Sequence, residues 1–251
     1  MLCSLRRARP TGKNEPRPLI ILDWDDTLMP TSALGSLGCT LSSGQPPADA
    51  VAALSAQAEA CASLLRLAAS LGRTVVVTAA EDGWVQGMCQ KFMPQLLPLL
   101  EGKTAVVEVV SARSEWEHHG YPTAFEWKRM AFGDLLQDQF GGRDRLTNVL
   151  SVGDALYEQE ALRSVTEDTK AHAKSVKLVA GPSMAVLRRE VSFLSEVLPA
   201  LVTHPDTLWL AVEVDPFLRP RFLGPDWRQR RCCFPPRRVF AEQLPLAQTV
   251  V

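Results

Sequence analysis

Much that would place this chain in a special class is missing from it. Aromatic residues are few. No stretch is long and apolar enough to cross a bilayer, which takes about 20 such residues. The formal net charge is only -1, so nothing global points to a polyanionic partner. The cysteines (Cys3, Cys39, Cys61, Cys89, Cys232, Cys233) show neither C-x-x-C spacing nor an even framework. That pattern argues against a disulfide scaffold, gives no sign of zinc, and points to a reducing compartment, with the cytoplasm as the expected location. The first residues lack the apolar core of a secretory signal. They are arginine-rich instead (Arg6, Arg7, Arg9, Arg17), which reads as a basic, disordered lead-in over residues 1–17, with an organellar transit peptide as the alternative. There are no internal repeats. His118 and His119 are neighbours in an expected loop and read as solvated.

What is present is an alternation of short apolar runs with amphipathic stretches. Pro18 to Leu22 is a continuous apolar run that fits a strand buried on both faces. Residues 30 to 47, rich in Ser, Gly, Thr and Pro, read as loop or turn. An alanine-rich helix follows, with Val51, Leu54, Ala58, Cys61, Leu65 and Ala68 as its apolar stripe and Gly72 as its stop. Thr74 to Thr78 and Ala105 to Val110 are the next strands, with a helix from Gly83 to Met93 between them. Thr123-x-x-Glu126 has the capping-box pattern and opens a helix toward Phe140. Thr147 to Val152 and Ser175 to Val179 complete five expected strands, separated by a helix from Ala155 to Val165. A last amphipathic helix carries Leu187, Val191, Leu194 and Leu198. Strands alternating with helices argue for a parallel sheet covered on both sides.

Ligands in such sheets bind at the carboxyl ends of the strands. The order of polar residues at those ends is therefore informative. They are Asp23-Trp24-Asp25-Asp26-Thr27, then Thr78, then the segment leading to Lys128, then Gly153-Asp154. Carboxylates, a hydroxyl and an ammonium are brought to one sheet edge. Phosphoryl transfer needs such a set. A carboxylate can attack phosphorus, and a divalent cation held by carboxylates offsets the repulsion between acid and phosphate. A second carboxyl moves the proton, while a hydroxyl and an ammonium hold the remaining oxygens.

Asp23-Trp24-Asp25-Asp26-Thr27-Leu28 resembles the first motif, D-x-D-x-[TV], of the haloacid dehalogenase-like superfamily. Thr78, Lys128 and Gly153-Asp154-x-x-x-Glu158 are similar to its second, third and fourth motifs. The resemblance covers roughly Leu19 to Leu201. It extends to a little-characterised eukaryotic group that shares Ile-Leu-Asp-Trp-Asp-Asp-Thr-Leu and a Gly-Trp-Val segment, here Gly83-Trp84-Val85. It implies a three-layer α/β sandwich with a Rossmann-like, mostly parallel five-stranded sheet. It also implies a Mg2+-dependent phosphomonoester hydrolase working through an aspartyl-phosphate. Asp23 would be nucleophile and metal ligand. Asp25 would be general acid and base, with its backbone carbonyl on the metal. Thr78 and Lys128 would bind the phosphoryl group, and Asp154 and Glu158 would complete the metal site. Arg129 and Glu160 stand as alternatives to Lys128 and Glu158. Phosphotransfer to another acceptor, or a non-catalytic interaction module, are the rival functions.

Members of the superfamily often carry a cap domain after the first motif or after the third strand. Neither gap here is long enough for a module with its own core. The expectation is a capless or minimally capped domain over residues 18–205, with an open site suited to a large phosphorylated substrate such as a phosphoprotein. From 206 to 251 the sequence is rich in Pro and Arg, with Leu208 to Val214 a candidate extra strand. The segment reads as irregular, with a basic docking arm for RNA, membrane or an acidic protein as its functional alternative.

Overall fold

Four apolar residues in a row, Leu19–Leu22, form β1, and all four are buried. Successive side chains of a strand point to opposite faces. Ile20 and Leu22 join one core, while Leu19 and Ile21 join the other. A strand with no polar face is the mark of a sheet covered on both sides. The structure is a computed structural model describing residues 17–42, 44–140, 148–215 and 217–223. After β1 come α1 (Thr31–Ser36), α2 (Ala48–Leu71), β2 (Arg73–Thr78), α3 (Trp84–Phe92), α4 (Leu97–Leu100), β3 (Glu108–Ser111) and α5 (Ala112–Trp116). They are followed by α6 (Ala124–Phe140), β4 (Asn148–Gly153), α7 (Leu156–Thr166), β5 (His172–Lys177), α8 (Met184–Thr203), β6 (Leu208–Glu213) and β7 (Arg221–Leu223).

The sheet order is β3-β2-β1-β4-β5-β6-β7, parallel except for the antiparallel β6–β7 pair. Residues of α2, α3 and α8 pack on one face with Val76, Val152 and Val176. On the other face residues of α5, α6 and α7 pack with Val75, Val77 and Val149. The result is an α/β arrangement compatible with a Rossmann-like sandwich. Strand order reverses between β1 and β4, and the crevice opened there is where such sheets place their ligands. No helix among the described residues is long and apolar enough to cross a membrane.

The sheet has seven strands among the described residues, not the five expected. The two additional strands lie in the segment from 206 onward, where Leu208, Leu210, Ala211 and Val212 are buried. The arginines Arg228, Arg230, Arg231, Arg237 and Arg238 lie outside the described residues, as do residues 1–16 of the lead-in. The stretch 30–47, read as loop, contains α1. Its Leu34 is buried, and its first residues face the loop after β1. The strand expected from Ala105 begins only at Glu108. The N–H groups of Val106 and Val107 donate to the Leu99 carbonyl at 3.0 and 3.1 Å, so this stretch folds back on α4. The strand expected from Ser175 begins at His172. It can do so because Lys174, fully buried, donates from its ammonium to the Asn148 side chain. A lysine paired in this way is hidden from a reading based on hydrophobic runs.

Glu190 of α8 is also fully buried. Its Oε1 accepts the Val179 N–H at 2.8 Å, and its Oε2 has no hydrogen-bond partner among the described residues. Burial pushes this carboxyl up to about 7 from its ordinary 4.5. A raised folded-state pKa means that the folded chain holds the proton where the unfolded chain has released it. The contribution is therefore complete below pH ~4.5 and is lost as pH rises through ~7, with a maximum of about 3 kcal/mol. Glu190→Gln should remove that component and become the more stable protein at pH 8, while offering little or no advantage at pH 5. Urea unfolding across this range checks it, and parallel curves for the two proteins would rule the linkage out.

Candidate functional site

The chain leaves β1 in a tight turn. The Trp24 carbonyl accepts the N–H groups of Leu28 and Met29 at 2.9 and 3.0 Å. Asp26 takes a left-handed conformation, with φ of 53°, which is uncommon for residues other than glycine. Its carboxylate is held by Ser32, through the backbone N–H at 2.8 Å and through the hydroxyl. From the other side α2 fastens the turn. Buried Gln57 donates to the Leu28 carbonyl at 3.0 Å, and the Cys61 thiol donates to the same oxygen at 3.4 Å. Trp24 is wholly buried and serves packing.

Asp23 follows β1 directly, and its N–H donates to the Val152 carbonyl of β4 at 2.9 Å. Its carboxylate therefore sits where the strand order reverses. Lys128, on the second turn of α6, reaches it from the face of the sheet that α5, α6 and α7 cover and donates to both Asp23 Oδ1 and Glu158 Oε1. All three side chains are at least nine-tenths buried. The helix that carries Lys128 is started by Thr123, whose hydroxyl accepts the Glu126 N–H at 3.3 Å and donates to the Glu126 carboxylate at 2.9 Å. The Lys128 ammonium also lies 5.5 Å from the ring centre of Tyr157.

Glu158 stands in the first turn of α7 and accepts the Ala155 N–H through Oε2 at 3.2 Å, with the helix N-terminus favouring its charge. Gly153 makes room for it. A Cβ at that position would fall 1.6 Å from Glu158 Oε2. Only glycine lets the carboxylate lie against the end of β4. Asp154 is the next residue, half-buried.

Asp23, Asp154 and Glu158 each offer a carboxylate oxygen, and these oxygens lie within 4.8 Å of one another. A group of this kind can hold a metal ion. Three acids crowd against one ammonium, and their protons are held accordingly. Burial, with Glu158 adding to it, pushes Asp23 up to about 8 despite the opposing pull of Lys128. Burial and the charge of Asp23 push Asp154 up to about 6. Burial also raises Glu158. Lys128 is itself penalised by burial, but Asp23 and Glu158 outweigh that and hold it protonated above its ordinary range. Three carboxyls that hold their protons for want of a second positive charge are an oxygen donor set suited to a hard divalent cation.

Asp25 turns away from this group. Its Oδ1 accepts from the Thr31 hydroxyl at 2.6 Å and from the Trp84 indole N–H at 3.0 Å. Its Oδ2 lies 3.4 Å from the Thr78 hydroxyl at the end of β2. Thr78 accepts the Ala80 N–H at 3.0 Å, and the Ser111 hydroxyl ties the Ala80 carbonyl to the end of β3 at 2.6 Å. The structure thus brings Asp23, Lys128, Asp154 and Glu158 into one cluster and sets Asp25 and Thr78 beside it. The Asp25 side chain is outside the carboxylate triad. Of Lys128 and Arg129, it is Lys128 that donates to two of the three triad acids, and Glu160 is exposed.

Thr31, Trp84, Tyr157 and Lys177 were not expected in the site. Lys177, at the end of β5, acts electrostatically on Asp154. Thr31 was hidden in a segment that reads as loop. Trp84 was visible only as part of the Gly83-Trp84-Val85 segment. Comparison of the chain with protein-family models, with curated proteins and with solved structures finds no match.

Proposed function

We propose that the chain is a metal-dependent phosphomonoester hydrolase of the haloacid dehalogenase-like kind, with Asp23 as nucleophile. The observation that carries this reading is the meeting of Asp23 with Lys128, Asp154 and Glu158 at the crevice between β1 and β4, with a second carboxyl, Asp25, two residues further on. A nucleophilic carboxylate, a buried ammonium and a neighbouring acid are what phosphoryl transfer asks of a protein. Asp23, Asp154 and Glu158 would hold the cation, with Mg2+ the natural candidate for an all-oxygen set that keeps waters and substrate oxygens. When bound, it would offset the repulsion between phosphate and carboxylates.

The residues divide the work as follows. An Asp23 oxygen forms a bond to phosphorus as the bond from phosphorus to the leaving oxygen breaks. Asp25 gives its proton to that oxygen. Water then attacks the phosphoryl group, Asp25 takes a proton from the water, and Asp23 is released as carboxylate with inorganic phosphate as product. Lys128 and Thr78 hold the phosphoryl oxygens between the two steps. The short gaps in the chain support an open site. Among the described residues only α1 and α2 separate β1 from β2, and α2 belongs to the core. A large substrate such as a phosphoprotein fits that geometry.

The test is turnover of p-nitrophenyl phosphate and of a phosphopeptide library, with Mg2+ and with chelator, alongside calorimetric titration of Mg2+. Turnover that requires the metal is the expected result. A folded chain that neither binds Mg2+ nor hydrolyses any of these esters would overturn the proposal.

A further inference from the structure

The indole N–H of Trp84 points at a carboxylate that the reaction needs, and nothing in the proposed chemistry so far uses it. Trp84 is the first residue of α3. It is placed there by Gly83, whose φ of 82° is left-handed and so suits glycine. The loop before it is fastened at three points. Ala80 is bonded to Thr78 and Ser111, the Asp82 N–H donates to the Ser114 hydroxyl at 2.9 Å, and the Trp84 N–H donates to the Glu81 carbonyl at 3.1 Å. The ring is thus delivered to Asp25 by a braced segment.

We propose that Trp84 and Thr31 are positioning residues for Asp25: together they occupy Oδ1 and leave Oδ2 as the oxygen that carries the proton to the leaving group. An indole nitrogen can only donate. The oxygen it faces at 3.0 Å therefore serves it as an acceptor. The Thr31 hydroxyl, at 2.6 Å, adds a second bond on the same oxygen. Among the described residues the opposite oxygen has only the long 3.4 Å contact with Thr78. Two donors on Oδ1 leave Oδ2 as the oxygen placed to exchange a proton with the leaving group. Fixing which oxygen is the acid and where it points is the pre-organisation that general acid catalysis depends on.

This inference rests on the phosphohydrolase reading, and its test separates the two. Trp84→Phe keeps most of the ring and removes the N–H, and Thr31→Val removes the hydroxyl at nearly constant volume. The measurement is kcat/KM, which reports the step that expels the leaving group, for phenyl phosphate and for p-nitrophenyl phosphate. Phenol, with a pKa of about 10, leaves poorly without a proton, whereas p-nitrophenolate leaves readily as the anion. Each variant should lose at least about tenfold more on phenyl phosphate than on p-nitrophenyl phosphate, a part of the hundredfold or more that general acids contribute. Loss by the same factor on both esters in both variants, or no loss in either, would overturn the assignment and leave Trp84 a packing residue. If the wild type hydrolyses neither ester nor any phosphopeptide, the parent reading falls and takes this one with it. Thr31→Val provides an independent answer should Trp84→Phe fail to fold.

Discussion

Asp23→Asn should reduce metal-dependent hydrolysis of p-nitrophenyl phosphate by at least about a thousandfold, because an amide cannot form the acyl phosphate and weakens the metal set as well. The same change should cost little stability in chelator at neutral pH. Asp23 faces Lys128 together with Glu158, so the variant retains one carboxylate against the ammonium. With its carboxyl held up to about 8 by burial, metal-free Asp23 is mostly protonated at pH 7, and Asn has nearly the shape and charge of that form. Raising the pH above 8 should weaken the metal-free wild type relative to the variant, since the folded-state pKa lies above the ordinary 3.8 and stability is lost as pH passes through it. Steady-state turnover and thermal unfolding in chelator read the two effects. Retained turnover in Asp23→Asn would remove it from the role of nucleophile, whatever the stability data said.

The second large effect concerns Lys128. Lys128→Met should destabilise the metal-free protein by about 3–5 kcal/mol, because it leaves two buried acids, Asp23 and Glu158, without the ammonium that bonds both. That corresponds to a fall in Tm on the order of 10 °C for a chain of this size. Adding Glu158→Gln should recover much of the loss, since one buried acid rather than two is then left without the ammonium. The coupling is read by a double-mutant cycle in urea, with chelator present. If Lys128→Met and the double variant are equally unstable, Lys128 contributes packing rather than neutralisation. Lys128→Met should also be inactive, so stability is the informative reading.

The sheet edge is legible in the apolar runs that end at Asp23, Thr78 and Gly153. Those runs are legible because a strand buried on both faces has no polar side to obscure it. Strands with another source of stability were harder to read. β5 begins with His172-Ala173-Lys174, and its lysine is accommodated only because Asn148 on the neighbouring strand receives the ammonium. Such a pairing has no local signature. The expected start of β3 was too early because turn hydrogen bonds to Leu99 compete with the ladder. Polar contacts across long separations were the least legible. Trp84 and Asp25 are 59 residues apart, and Lys128 and Asp23 are 105 apart. Residue types at strand ends indicate a common edge, but not which donor meets which oxygen. The hydroxyl of Thr31 was missed for a different reason: its helix has six residues and no periodicity to detect.

The central position of β1 also sets a timetable. The strand that leads into Asp23 pairs on one side with β2 and on the other with β4, where Leu22 meets Val152 about 130 residues later. At about 5–20 residues per second of translation, that second partner is made roughly 6 to 26 s after the first strand. Throughout that interval one edge of an apolar strand is unpaired on the nascent chain, a ready template for wrong pairings. The feature that puts the nucleophile at the middle of the finished sheet thus makes its strand the longest-waiting part of the unfinished one, and gives the chain a reason to meet a chaperone before it meets a substrate.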